Sequence, residues 1–285
     1  DKKWKTDYES YYSPIKKKQD ANKNGWLGKV TDSSDNMDTN LIFEAESTLE
    51  PQALSKNPEP VVFCAEDKSS DDKARLVKVM LQYHADVLKL KPKLGKVLRH
   101  WDIYYIGAMK HGFDTEINDI KSEVVYPTNL IFDKDGYVDE NMCFVGKYVG
   151  EKKQKTIRSL TETYPDKKAQ LILSASGELD HEVTVIEWWT NDYMFVVYGN
   201  IVLEKAKNPH YNYDNPRANH LPKPMIPYTF LVVFSLGNQP HDNTTLIEQA
   251  LPNQKRISKR VKQIERNVTF SNNGLAVSGK FFNED

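Results

Sequence analysis

The chain has 285 residues, 28% of them charged and 39% hydrophobic, with a formal net charge of −1. That balance is globular; it excludes a disordered chain and a bulk polycation, so attraction to nucleic acid must come from local patches. Two cysteines, Cys64 and Cys143, lack any CxxC or Cys/His neighbourhood, which argues against a thiolate zinc site and a disulfide-stapled scaffold.

No apolar run approaches the ~20 residues needed to cross a bilayer. The opening "DKKWKTDYES" is neither a signal peptide nor a usual translation start, so the expectation is an intracellular origin and a segment of a longer chain. Residues 1–39 are polar and lysine-rich and are expected to form a mobile or partner-dependent arm. Within it, Trp4, Tyr8, Tyr11 and Tyr12 are candidates to anchor a short helix.

"NLIFEAESTLEP" predicts a helix stopping at Pro51, and "PEPVVF" a short strand. Ser70, Asp71 and Asp72 then form a good helix start, with acids where the dipole favours them. Val77, Met80, Leu81, His84, Val87 and Leu88 recur at three- and four-residue steps and are expected to face the core. Pro92 and Gly95 are expected to break the run. A second core-facing helix carries Leu94, Val97, Leu98, Trp101, Tyr104, Tyr105 and Ala108, with Gly112 as its C-cap.

"SEVVYPTNLIF", "MCFVGKYV", "HEVTVIEWWT", "YMFVVYGNIVLEK" and "YTFLVVFSL" are rich in β-branched and aromatic residues and predict strands. The Gly199-Asn200 pair predicts a two-residue hairpin turn. "EKKQKTIRSLTETYP" predicts an interrupting helix. Helices first, then mostly antiparallel strands, then a helix, reads as α+β.

Candidate catalytic groups are sparse. "DKDGYVDE", Asp133 to Glu140, lacks calcium-loop spacing, and Asp-Gly between strands is ordinary turn chemistry. His210, Asp214 and His220 share one loop without metal-ligand spacing, and loop capping is the simpler reading. His100 and Asp102 make no triad without geometry. No nucleotide or hydrolase fingerprint appears. The expectation is a protein that is not an enzyme, with no cofactor and no metal.

The last helix is the informative element. Thr245 with Glu248 forms a capping-box pattern, placing the start near Asn243. Six basic residues between Lys255 and Arg266 stand against one acid. At 100° per residue, Ile257, Val261, Ile264 and Val268 share an arc of about 60°, suited to packing against another helix. Lys255, Lys259, Lys262 and Arg266 share a similar arc on roughly the opposite face. That stripe is either a solvated face or a contact for phosphate backbone. An interfacial membrane helix would carry Trp, Phe and Leu on its apolar face, which the Ile257, Val261, Ile264 and Val268 face lacks. Pro252 predicts a kink or broken turn.

Taken in order, "NLIFEAESTLEPQALSKNPEPVV", "LRHWDIYYIGAMKHGFD", "EVVYPTNLIFD", "VTVIEWWTND", "LEKAKNPHYNYD", "PYTFLVVFSLGNQPHDNTTLIEQALPNQKRISKRVKQIERN" and "LAVSG" resemble the portal (head-to-tail connector) proteins of tailed bacteriophages. The resemblance runs from about Asn40 to the end and is distributed; residues 1–39 carry little of it. It implies a dodecameric ring at one capsid vertex of the virion, made in the host cytoplasm. Double-stranded DNA would pass through its channel, and the major capsid protein, terminase and tail adaptors would dock on it.

On that template residues 40–240 resemble the wing and residues 241–270 the first stem helix. Residues 271–285 would begin a clip; a second stem helix, most of the clip and any crown have no counterpart. The apolar ridge would pack against neighbouring stem helices, and the basic stripe would face the channel or the capsid collar. Two competing expectations are a metal-dependent nuclease using Asp133, Asp135 and Asp139, and a capsid adaptor with the same helix and no channel.

Overall fold

A computed structural model describes residues 2–29, 39–55, 60–62, 71–114, 118–174, 178–219, 221–237 and 239–272, with backbone only for 2–9, 71 and 272. Cys64, Ser70, His220 and the clip-like residues 273–285 lie outside the described residues. The chain is α+β. It opens with helices α1 (Lys2–Trp26), α2 (Leu41–Ala53), α3 (Asp71–Val87) and α4 (Leu90–Tyr104). Strands β1 (Gly107–Asp114), β2 (Asp119–Val125), β3 (Leu130–Phe132), β4 (Tyr137–Val138), β5 (Phe144–Val145) and β6 (Val149–Thr156) follow. Helices α5 (Ile157–Thr163) and α6 (Lys168–Ser174) precede β7 (Glu182–Trp189), β8 (Tyr193–Tyr198) and β9 (Ile201–Lys207). Strands β10 (Tyr228–Leu231), β11 (Phe234–Ser235) and β12 (Asn243–Thr244) lead into α7 (Leu246–Asn272).

Two antiparallel sheets dominate, one ordered β10-β1-β2 and the other β3-β6-β7-β8-β9. Their shared core is aromatic. Phe132, Phe144, Phe230, Trp189 and Tyr228 cluster with Ile106, Ala108, Val125 and Val149, and Phe132 and Phe230 meet edge to face at 5.3 Å. The period-2 alternation of β7 divides one sheet face between two clusters. Trp189 belongs to this core, while Val183 and Val185 pack against Ile157, Leu160 and Leu171 of α5 and α6. The β8–β9 connection is the expected two-residue turn, with Gly199 at φ 55°. A positive φ at the first turn position is what a type II′ hairpin requires.

The helical layer joins α1, α2, α4 and α7. Ile42, Ile103, Tyr104 and Ile247 form its apolar centre, with Trp26, Ala250 and Leu251 against it. Gly25 of α1 sits where a Cβ would come within 2.6 Å of Leu251 Cδ1, so the lack of a side chain sets the α1–α7 spacing.

Several expectations from the sequence are corrected. Residues 2–26 are a continuous helix packed on α4 and α7 rather than a mobile arm. Its seam is polar as well as apolar: buried Gln19 donates to Tyr104 O at 3.0 Å, and Asn22 to Thr245 Oγ1 at 3.1 Å. Helix α2 runs past Pro51 to Ala53. Pro60–Val62 shows no strand.

The break before α4 falls at Lys89, at φ 51°, so Pro92 and Gly95 lie inside the helix. Gly95 admits Glu50 closely, and Arg99 pairs with Glu50 at 2.5 Å. Helix α4 ends at Tyr105, φ 71°, so Ala108 and Gly112 belong to β1. Glu151–Thr156, expected as helix, is strand β6, because pairing along all of β7 outweighs the helical propensity of Glu, Lys and Gln.

Candidate functional site

Helix α7 is set by its first turn. Asp102 of α4 accepts from Leu246 N at 2.8 Å and Ile247 N at 3.2 Å through Oδ1. Thr245 Oγ1 accepts from Glu248 N at 3.1 Å, the N-cap bond that the sequence pattern predicted. These bonds satisfy N–H groups that a helix start leaves orphaned. Asp102 is therefore a capping residue, not a triad member. Glu46 lies beside this carboxylate and shares a side-chain hydrogen bond with it. Burial and then the Asp102 carboxylate push Glu46 up to about 9.

The helix then runs unbroken for 27 residues, about 40 Å, so of the kink or broken turn expected at Pro252 the broken turn is absent. Contacts on both sides hold the turn. Ile247 is buried before it, and after it buried Gln254 accepts from Leu41 N at 3.2 Å and donates to Thr39 O at 2.7 Å. The seated face is Ile247, Leu251, Gln254 and Ser258. Beyond Ser258 burial ends: Val261 and Lys262 are half-buried, and residues 263–271 are exposed.

The two predicted faces flank this seam. By helical periodicity the apolar ridge lies about 80° to one side of it and the basic stripe about 80° to the other. In the ridge, Ile257 is 42%, Ile264 61% and Val268 51% exposed, with Phe270 beyond them at 76%. Among the described residues nothing covers the ridge or the overhang. Lys255, Lys259 and Arg266 are exposed, and Lys262 half-buried.

Helix α3 repeats this pattern and overturns a sequence expectation. Leu76, Val77, Val79, Met80, Leu81, Tyr83 and Val87 are 44–64% exposed instead of buried. The less exposed positions are Ala74, Lys78, Gln82, His84, Ala85 and Leu88. The helix rests on the body mainly with its small and polar side, and presents its apolar side outward. Several large apolar side chains are thus exposed together along one helix, unlike the singly scattered apolar residues of an ordinary surface.

The other candidates resolve into local structure. Asp133 accepts from Lys147 N at 3.0 Å, and Asp139 from Cys143 N at 2.7 Å and Asn141 N at 3.0 Å. The segment is built as turns, with its two flanking carboxylates engaged by backbone. His210 stacks on Trp189 at 5.7 Å and 15°. Burial, then Lys110, hold it below the ordinary imidazole range. His100 lies edge-on to Tyr126 at 5.3 Å. Among the described residues no group of three or more His, Cys, Asp or Glu could hold a metal ion, and no helix is long and apolar enough to cross a membrane.

One cluster escaped the sequence reading. Lys110 bonds Glu187 and approaches Glu151 at 3.4 Å. Lys153 meets Glu187 at 2.7 Å, and Tyr228 Oη donates to Glu151 at 2.7 Å. Burial alone would raise Glu187, but Lys110 and Lys153 hold it at about 2. The cluster lies on one sheet face between the aromatic core and the α5–α6 cluster. Its signal was charge at alternate positions, Glu151 and Lys153, which only a strand brings to one face.

The chain matches no protein-family model and no curated protein sequence.

Proposed function

We propose that this chain is a structural subunit of a bacteriophage portal ring, forming the channel for DNA packaging and ejection. The observation that carries the reading is the outward half of α7, whose ridge of Ile257, Ile264 and Val268 is exposed on a helix that overhangs its own body. Covering a row of exposed apolar side chains removes apolar surface from water and is favourable. Repeated copies of the same helix supply such cover in a closed ring. The exposed face of α3 gives a second contact. In this reading the ridge packs between neighbouring stem helices, and the Lys255, Lys259, Lys262 and Arg266 stripe contacts phosphate without reading sequence. Major capsid protein, terminase and tail adaptors are the further partners that the resemblance implies.

The test is native mass spectrometry with negative-stain imaging of the full-length protein. A closed ring of about a dozen copies with an axial hole is the expected result, by the resemblance and by ring closure. Persistent monomer or dimer at high concentration overturns it. On assembled rings, changing the four stripe residues to glutamine should flatten the salt dependence of DNA binding, by about one unit of slope for each phosphate no longer neutralised. An unchanged slope would return the stripe to a solvated face.

A further inference from the structure

The three-stranded sheet stops short along one edge. Strand β10 pairs with β1 from Gly107↔Leu231 to Lys110↔Tyr228, and His111 N then donates to Pro227 O at 2.9 Å. Pro227 has no N–H to return. Just upstream, buried Asn208 donates to Met225 O at 2.8 Å, holding that carbonyl away from β1. The ladder therefore ends at His111.

Its alternation fixes what comes next. His111 directs its N–H toward the β10 side, so the pair His111↔Ser122 with β2 is a non-hydrogen-bonded one, and so is Phe113↔Ile120 two residues on. The N–H and C=O of Phe113 thus point to the side that β10 has vacated.

That side is a cleft of about 810 Å³ between β1 and the proline-rich residues 209–219 and 221–227. Its exposed apolar residues are concentrated: Phe113 at 53%, Ile120 at 45%, Leu221 at 50% and Met225 at 37%. Phe113 and Ile120 stand directly opposite on adjacent strands, at the spacing where side chains touch. Lys223 is in the lining, and no carboxylate is among the described lining residues.

We propose that this cleft binds an extended peptide strand, which continues the line of β10 along β1 and is seated on Phe113, Ile120, Leu221 and Met225. An apolar small molecule would use the walls but leave the strand edge unmatched, whereas main chain in extended conformation satisfies both. Apolar residues at alternate positions would face the walls, and a carboxylate on the peptide would meet Lys223. The inference does not depend on the portal reading, and monomer suffices to test it.

The probe is a fluorescein-labelled hexapeptide alternating valine and threonine and ending in glutamate, titrated against the full chain by fluorescence anisotropy. Saturable binding is expected. A twin peptide N-methylated at its valines, which keeps side chains and loses backbone donors, should bind at least about tenfold more weakly, as loss of strand pairing requires. Leu221→Glu and Met225→Glu, both at exposed positions, should each weaken binding while the melting temperature holds. Equal binding of the two peptides, or binding indifferent to both variants, overturns strand addition; so does absence of saturation.

Discussion

The two halves of α7 obey different rules. The first half is specified from within: Asp102 and Thr245 cap it, Ile247 fills the helical core, and Gln254 ties it to the start of α2. The second half has the same amphipathic spacing, yet Ile264 and Val268 are more than half exposed. Identical periodicity therefore yields a buried seam where the other described helices supply a groove, and an exposed ridge where they do not. Amphipathicity states that a helix has a partner; it does not state whose chain provides it.

The contrast between the halves should show most strongly at Ile247. Ile247→Ala should cost about 2–5 kcal/mol in urea unfolding, because it empties a buried site. If the cost were below about 1 kcal/mol, as for surface positions, the seated half would not be seated. Next, Asp102→Ala should cost about 1–3 kcal/mol by stranding two N–H groups at the start of α7. Amide exchange of Leu246 and Ile247 should accelerate with it, and unchanged protection would remove Asp102 as the cap.

A smaller effect comes from pH, since Glu46 is only partly buried. Its folded-state value of about 9 lies above the ordinary 4.5. Between those values the native chain holds a proton that the unfolded chain has lost, so stability should fall as pH rises from about 4.5 to about 9. Glu46→Gln should flatten that part of the melting-temperature profile; an equal slope in the variant would place the titration elsewhere.

The smallest effect should be Ile264→Ala, within about 0.5 kcal/mol for the monomer, as for other surface changes. Ile264→Asp should leave the monomer's melt equally unmoved and abolish ring assembly in native mass spectrometry. Rings formed normally by Ile264→Asp would show that the exposed ridge does not join the subunits.

Much of the local structure was legible. Thr245 and Glu248 announced the start of α7, Gly199-Asn200 the β8–β9 turn, and the Asp-rich segment its turns, because each depends on hydrogen bonds or φ angles spanning a few residues. The α+β class followed from the order of patterns. Beyond that range the reading failed in one consistent way. Glu151–Thr156 has helix-forming composition but is a strand, since β7 lies alongside it. Residues 2–26 looked unanchored because their partners, α4 and α7, are about 80 and 220 positions away.

The candidate site was half legible. Both faces of α7 could be drawn from spacing alone, with every ridge and stripe residue named. The Lys110–Glu151–Lys153–Glu187 cluster could not, because it needs three strands in register. Nor could the open edge at Phe113, which exists because Pro227 and Asn208 end the pairing of a strand more than a hundred residues downstream.

Where the chain turns, which helices are two-faced, and where positive charge gathers on α7 are all written in the order of the residues. Which apolar faces are covered is written only in the packed arrangement. A periodic pattern sets the direction of side chains around one axis, while burial depends on what other segments bring to that direction. For α3 and the outer half of α7 the other described segments bring too little, and the apolar faces stay exposed.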